Sequence, residues 1–272
     1  PPSHGTMRAD ALGMTMDETE DTVTRPRRRG IYLLPNLFTT GTLFAGFYGI
    51  IASIDGNFAP AAIAVFVAGL LDGMDGRLAR LTHTESEFGK QYDSLADMVA
   101  FGIAPAVIVY QWGLKALGEY GWAWGKLGWL AAFLYAVAAA LRLARFNVSS
   151  KTADRRFFEG LPSPSAAGLV SSMVWVAVGA GVDGLPALAV AMALTVLAGA
   201  LMVSRFAYWS FKGVSPRGRI SFAYVLIIPL IFVLIAIDPP RVCFLLACTY
   251  ASSGIVIAVW RRWRRQPAEG RR

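Results

Sequence analysis

The stretch Leu71-Asp72-Gly73-Met74-Asp75-Gly76-Arg77-Leu78-Ala79-Arg80 and its continuation Gly89-Lys90-Gln91-Tyr92-Asp93-Ser94-Leu95-Ala96-Asp97 set four carboxylates into otherwise apolar ground. The apolar runs around them, Pro60–Leu81 and Gln91–Trp112, are each long enough to cross a hydrocarbon core of ~30 Å as a helix. One aspartate at mid-helix costs ~2.5–3.5 kcal/mol on the translocon scale, so four unpaired would approach ~10 kcal/mol, less for those near the interface. A solvated helix end does not account for that cost. Something cationic must offset it.

Helical geometry shows where that cation belongs. At about 100° per residue, Asp72, Asp75, Gly76 and Ala79 share one face of the first run, and Asp93 and Asp97 share one face of the second. The two runs are antiparallel neighbours. Depths counted from the turn between them centre on Thr84–Glu85, which sets Asp72 opposite Asp97 and Asp75 opposite Asp93. The four carboxylates therefore converge between two helices, ~5–20 Å inside the interface by the helical rise. Two divalent ions would cancel their charge. All-oxygen ligation, with no His or Cys in either run, favours Mg²⁺ or Mn²⁺ over zinc. Paired hard ions of this kind clamp the attacking and leaving oxygens of a phosphoryl displacement. Gly73 and Gly76 each cost a helix about 1 kcal/mol, which points to something approaching the backbone there. Arg77 and Arg80, one turn nearer the cytoplasm, suit a diphosphate, although Arg77 points away from Asp72. His83, Glu85 and Glu87 read as solvated turn residues.

Outward from this pair, the 272-residue chain is 55% hydrophobic and only 16% charged, against roughly 25% charged in soluble domains. That excludes an ordinary soluble domain and a long disordered protein. Six more apolar runs, at Leu34–Ile54, Trp122–Leu143, Pro164–Gly181, Pro186–Phe206, Ile220–Ile237 and Val242–Trp260, bring the expected architecture to eight transmembrane helices, all-α and polytopic. Cys243 and Cys248 lie inside one run at i, i+5 and read as apolar thiols, not as a disulfide or metal site. Residues 1–30, with no apolar core of a signal peptide, are expected to form a disordered cytoplasmic tail, and residues 261–272 a basic one.

The charge pattern orients the spans. With the N-terminus inside, only Lys115, Lys126 and Arg241 of the 26 Lys and Arg fall in outer loops. The positive-inside rule then places both termini in the cytoplasm and the Asp183 loop outside. The net charge of +8 suits an anionic membrane surface better than nucleic acid, because it comes in short clusters between spans. Trp122, Trp124, Trp129 and Trp260 sit near span ends as interfacial residues, and the small residues Gly41, Ala45, Gly46, Gly49 and Ala136–Ala140 suit close helix packing.

The run Asp72-x2-Asp75-Gly76-x2-Ala79-Arg80-x8-Gly89-x3-Asp93-x3-Asp97 resembles, without a departure, the signature of the CDP-alcohol phosphotransferases, membrane enzymes of phospholipid synthesis. Leu34-Pro35-Asn36-Leu37-Phe38-Thr39, Asp93–Gly102, Arg142-Leu143-Ala144-Arg145-Phe146-Asn147 and Phe158–Pro164 are most similar to the phosphatidylserine synthases within that family. The resemblance implies that Asp72, Asp75, Asp93 and Asp97 bind two metal ions and that Asp97 is the general base. It implies a CDP pocket formed by Asn36, Thr39, Gly76, Ala79, Arg80 and Gly89. It also implies a catalytic core of six helices over residues 31–213, two additional helices over 214–260, a homodimer, and an active site on the cytoplasmic side of the inner membrane. The expected reaction moves the phosphatidyl group of CDP-diacylglycerol to L-serine and releases CMP.

Arg142, Arg145 and Asn147 occupy the cytoplasmic end of the fourth run and are the candidates for acceptor binding. An arginine can grip a serine carboxylate in a bidentate fork. Basic residues there suit positive-inside anchoring or a CDP phosphate as well. Two rivals remain: the same chemistry on another acceptor, glycerol 3-phosphate or an inositol phosphate, and a cation transporter. A transport path would spread carboxylates across the bilayer. Here they cluster at one face.

Overall fold

The computed structural model describes residues 33–82, 86–149, 157–209, 229–230 and 233–265. Its elements run α1 (Leu33–Ile54), α2 (Phe58–Thr82), α3 (Glu87–Asp97), a π-helical turn (Met98–Ile103), α4 (Ala104–Trp112), a 3-10 segment (Leu114–Tyr120), α5 (Trp122–Ser149), β1 (Phe157–Glu159), α6 (Ser163–Ala180), α7 (Leu185–Val203), β2 (Ala207–Trp209) and α8 (Pro239–Arg265). Seven helical segments among the described residues are long and apolar enough to cross a membrane. Six of the expected spans are found with ends shifted by a few residues, and the third continues from Glu87 to Tyr120. The seventh, Ile220–Ile237, falls largely outside the described residues, as do both terminal tails, His83 and Glu85.

Small side chains let the helices meet closely. α1 packs chiefly on α2, and α5 on α7. Gly46 shows the limit of approach: a Cβ there would stand 2.6 Å from the Ala100 Cα, so only glycine lets α1 lie against the π-helical turn. The shared core runs through Val65, Phe101, Ile108, Tyr135 and Val170. Pro105, Pro164 and Pro186 stand in the first turns of α4, α6 and α7, where no intrahelical donor is lost.

Two features depart from plain spans. The third crossing is not one regular helix: directly after Asp97 it widens into the π-helical turn, and Ala104 then restarts the α-helix. Turns of this kind recur at functional sites, and the wider turn offsets α4 in rotation from α3. The buried Tyr135 hydroxyl of α5 donates to the Phe101 carbonyl at 3.1 Å and so fixes that turn. The second feature is a short antiparallel ribbon that pairs Phe157 with Trp209 and Glu159 with Ala207. Gly160 leaves it with φ +81, its N–H donating to the Phe206 carbonyl at 2.9 Å, and the chain turns into α6. The ribbon thus brings the start of α6 and the end of α7 to the same end of the molecule as the aspartates.

Candidate active site

Asp72 and Asp75 lie in the second half of α2, and Asp93 and Asp97 in the second half of α3. Each of Asp72, Asp75 and Asp93 offers a carboxylate oxygen within 4.8 Å of the other two, a spacing that could hold a metal ion. Asp97 follows Asp93 by one turn at the end of α3, with its Oδ1 buried.

Helix α1 supports the cluster from the side. Thr39, itself buried, donates its hydroxyl to Asp75 Oδ2 at 2.9 Å. Thr40 bonds back to the Asn36 carbonyl at 2.7 Å and meets the Tyr92 hydroxyl at 2.9 Å, tying α1 to α3 one residue before Asp93. Asn36 is half-buried, with its Oδ1 toward Gly89. The Gly89 N–H takes its cap from Ser86 Oγ at 3.0 Å, so α3 starts firmly only ten residues before Asp97.

Two observations test whether a cation fits. Asp97 Oδ1 is buried with no hydrogen-bond partner among the described residues. A charge-bearing oxygen in that state costs several kcal/mol unless something positive reaches it. The second concerns Gly73 and Gly76. A Cβ on either would meet nothing within 4 Å among the described residues, so close packing does not explain the glycines. They border open room beside the carboxylates. The donor set is all oxygen, which suits a hard divalent ion. The residues fit the group.

The remaining candidates divide. Arg80 is exposed and curls back, its Nε donating to the Gly76 carbonyl at 2.8 Å, so its guanidinium stays at the mouth of the site beside the open face of Gly76. Arg77 is exposed on the same helix, and Ala79 follows Asp75 by one turn. At the end of α5 the three acceptor candidates take different positions. Arg142 points inward, with Nη1 donating to Ser163 Oγ of α6 at 2.8 Å and its Nε buried without a partner among the described residues. Asn147 is exposed and its amide donates to Ser94 Oγ at 3.0 Å, next to Asp93 in α3. Arg145 is exposed at the helix end. The structure therefore turns Arg142 into the protein and leaves Arg145 exposed.

Sequence reasoning missed Ser163, Tyr92, Thr40 and Tyr135. Ser163 could have been suspected, since it sits in the Phe158–Pro164 stretch, but nothing local links it to an arginine 21 residues earlier. Cys243 and Cys248 are free and half-buried.

Residues 32–204 match the sequence pattern of the CDP-alcohol phosphatidyltransferases. The chain is 37% identical over 208 residues to the CDP-diacylglycerol–serine O-phosphatidyltransferase of Helicobacter pylori, a match covering 75% of this chain and 83% of that protein. It is 38% identical over 151 residues to the enzyme of the same name from Mycobacterium leprae, covering 53% of this chain and 48% of that one. Archaetidylserine synthase of Methanothermobacter thermautotrophicus is 37% identical over 141 residues, 51% of this chain and 56% of the relative. With seven helices able to span a bilayer and a family pattern that covers more than half its length, the chain is an integral membrane protein of the CDP-alcohol phosphatidyltransferase family.

Proposed function

We propose that this chain transfers the phosphatidyl group of CDP-diacylglycerol to the hydroxyl of L-serine, giving phosphatidylserine and CMP. The observation that carries the reading is the buried, unpartnered Asp97 Oδ1 one turn beyond Asp93, one of three gathered carboxylates, in a chain that also turns Arg142 inward. The chain thus offers both a cation site and an anion site. The names of the relatives add the acceptor, since those from Helicobacter pylori and Mycobacterium leprae are serine O-phosphatidyltransferases.

The family depends on divalent metal ions. Two ions, Mg²⁺ or Mn²⁺, held by Asp72, Asp75, Asp93 and Asp97, would neutralise the carboxylates and draw charge from the diphosphate. Asn36, Thr39, Gly76, Ala79, Arg80 and Gly89 form the CDP pocket: the glycines leave room at the α2 backbone, and Arg80 meets the phosphates at the mouth. Arg142 grips the serine carboxylate, with Arg145 and Asn147 at the rim. Asp97 takes the proton from the serine hydroxyl. The hydroxyl oxygen attacks the lipid-side phosphorus in line as the bond from that phosphorus to the CMP oxygen breaks. Negative charge on the departing CMP is met by Arg80.

Residues 31–213 form the catalytic core, and residues 214–260 add two helices to it. The site faces the cytoplasm at the inner membrane, with both termini on that side, and the protein works as a homodimer. The test is metal-dependent CMP release from CDP-diacylglycerol, with serine, glycerol 3-phosphate and an inositol phosphate offered in turn. Release that depends on serine supports the reading. Release with a phosphorylated acceptor and not with serine moves Arg142 to phosphate binding and overturns the serine assignment.

A further inference from the structure

The third crossing changes pitch directly after Asp97. The Met98 N–H still closes an ordinary turn on the Ser94 carbonyl, but the Ala104 N–H reaches back five residues to the Val99 carbonyl. A turn of this kind takes in one extra residue, so α4 is rotated by about 100° from where an unbroken α-helix would set it. The sequence supplies a reason. In a regular helix the Phe101 carbonyl would accept from residue 105, but Pro105 has no N–H and its ring would press on that carbonyl. Phe101 is buried, and the Tyr135 hydroxyl of α5 donates to its carbonyl at 3.1 Å. Tyr135 is itself fully buried and is backed by α7, where a Cβ on Gly199 would stand 3.3 Å from the Tyr135 Cα. One turn along α5, the Ala139 Cβ lies 3.2 Å from where a Gly102 Cβ would stand, so the turn lies close against the same helix.

Burial decides which end of the crossing would move if this turn closed to α-helix. Five of the nine residues of α4 are buried, whereas Ala96 alone is buried among the eleven of α3. The core therefore holds α4, and the extra residue sets the direction in which α3 faces. With the turn in place, Asp93 gathers with Asp72 and Asp75 within 4.8 Å. A rotation of about 100° would carry Asp93 and Asp97 off that face together. We propose that Tyr135 is a positioning residue for the carboxylate site: by holding the Phe101 carbonyl that Pro105 cannot serve, it keeps the turn wide and so keeps Asp93 and Asp97 toward Asp72 and Asp75. This rests on the reading of the four carboxylates as the seat of the reaction. Tyr135 acts on them through the backbone alone, and a phenylalanine would fill the same space and lose only the donor.

Tyr135→Phe and Pro105→Ala, singly and together in the full-length protein in vesicles, test it. Tyr135→Phe should weaken Mn²⁺ binding about tenfold, slow CMP release about tenfold or more and lower the Tm, because a buried carbonyl loses its donor and the carboxylates lose their register. Unaltered Mn²⁺ affinity in that variant overturns the proposal. Adding Pro105→Ala gives residue 105 an N–H for the Phe101 carbonyl and lets the turn close as α-helix. The Tm should then recover while Mn²⁺ affinity and CMP release stay at least as low. A role confined to stability predicts that both return with the Tm, and that result also overturns the proposal. Pro105→Ala alone keeps the tyrosine and should stay within about threefold of the unaltered protein in both measurements. A loss there as large as in the double variant would assign the turn to Pro105 and refute the role of Tyr135. Should Tyr135→Phe not fold by itself, the double variant set beside Pro105→Ala carries the test: weaker Mn²⁺ binding by about tenfold supports the proposal, and equal binding overturns it. An unaltered protein that neither binds Mn²⁺ nor releases CMP with any alcohol refutes the reading of the carboxylates, and the proposal with it. A working unaltered protein with the wrong order among the variants refutes the proposal alone.

Discussion

The carboxylate hairpin of α2 and α3 and the proposed acceptor rim around Arg142 solve opposite problems by opposite means. The hairpin gathers like charges, all within 26 residues of chain, by placing them on facing helices at one depth. The other region turns a single arginine of α5 inward and holds it with one neutral partner, Ser163 of α6, 21 residues further along the chain. Repulsion between carboxylates makes the hairpin dependent on an ion, so it should fail as a unit. The rim depends on orientation, so it should fail by degrees and for one substrate only.

The largest expected effect is on the hairpin. Replacing Asp72, Asp75 or Asp93 by Ala should cut CMP release by about a thousandfold or more and weaken Mn²⁺ binding, with the protein still inserted. Full turnover of any one variant at limiting metal would remove that residue from the site. Asp97→Asn comes next. An amide still offers an oxygen but accepts no proton, so CDP-diacylglycerol binding should persist while kcat falls about 10²–10⁴-fold. Collapse of lipid binding together with kcat would make Asp97 a binding residue and leave the base unassigned.

The contrast also explains how much of the molecule is legible in its sequence. Asp72, Asp75, Asp93 and Asp97 are legible because helical rise and rotation are fixed, and an antiparallel pair converts spacing directly into depth. The spans built on α1, α2, α3 with α4, α5, α6, α7 and α8 are legible for a related reason, as apolar length alone marks a span. The π-helical turn after Asp97 is not, because one extra residue in a uniformly apolar run leaves no trace in its periodicity. Nor is the end of the sixth span: Pro186–Phe206 is expected as one run, but the helix stops at Val203 so that Ala207–Trp209 can pair with Phe157–Glu159. The ribbon spends backbone hydrogen bonds that hydropathy does not count. Between Arg142 and Arg145 the residues alone offer no way to choose, since which one turns inward depends on Ser163 and the packing of α6.

That choice yields the third prediction. Arg142→Lys should raise the KM for serine by about ten- to fiftyfold and change the KM for CDP-diacylglycerol far less, since an ammonium cannot reproduce the planar fork. Arg145→Lys, at the exposed end of α5, should shift the serine KM by no more than about threefold. Reversal of that order would put the acceptor carboxylate at the rim and return Arg142 to a structural role beside Ser163. A fall in nucleotide-lipid affinity in either variant would move that arginine to the CDP side.

The smallest effect tests whether the two regions are as separate as their construction suggests. Asn147 and Ser94 form a polar link between them, the amide donating to Ser94 Oγ at 3.0 Å with Asp93 next in sequence. Both groups can exchange their partner for water, so the bond is worth only about 0.5–1.5 kcal/mol. Asn147→Ala should therefore change KM values by about threefold and leave the fold intact. The direction matters more than the size. If Asn147 serves the rim alone, only the serine KM rises. If it braces α3 against α5, Mn²⁺ affinity falls in the same proportion, because Asp93 loses part of what holds it in register. Ser94→Ala separates the two: it breaks the same bond from the α3 side, so a matching shift in metal affinity marks a brace, and a shift seen only with Asn147→Ala marks direct contact with the acceptor.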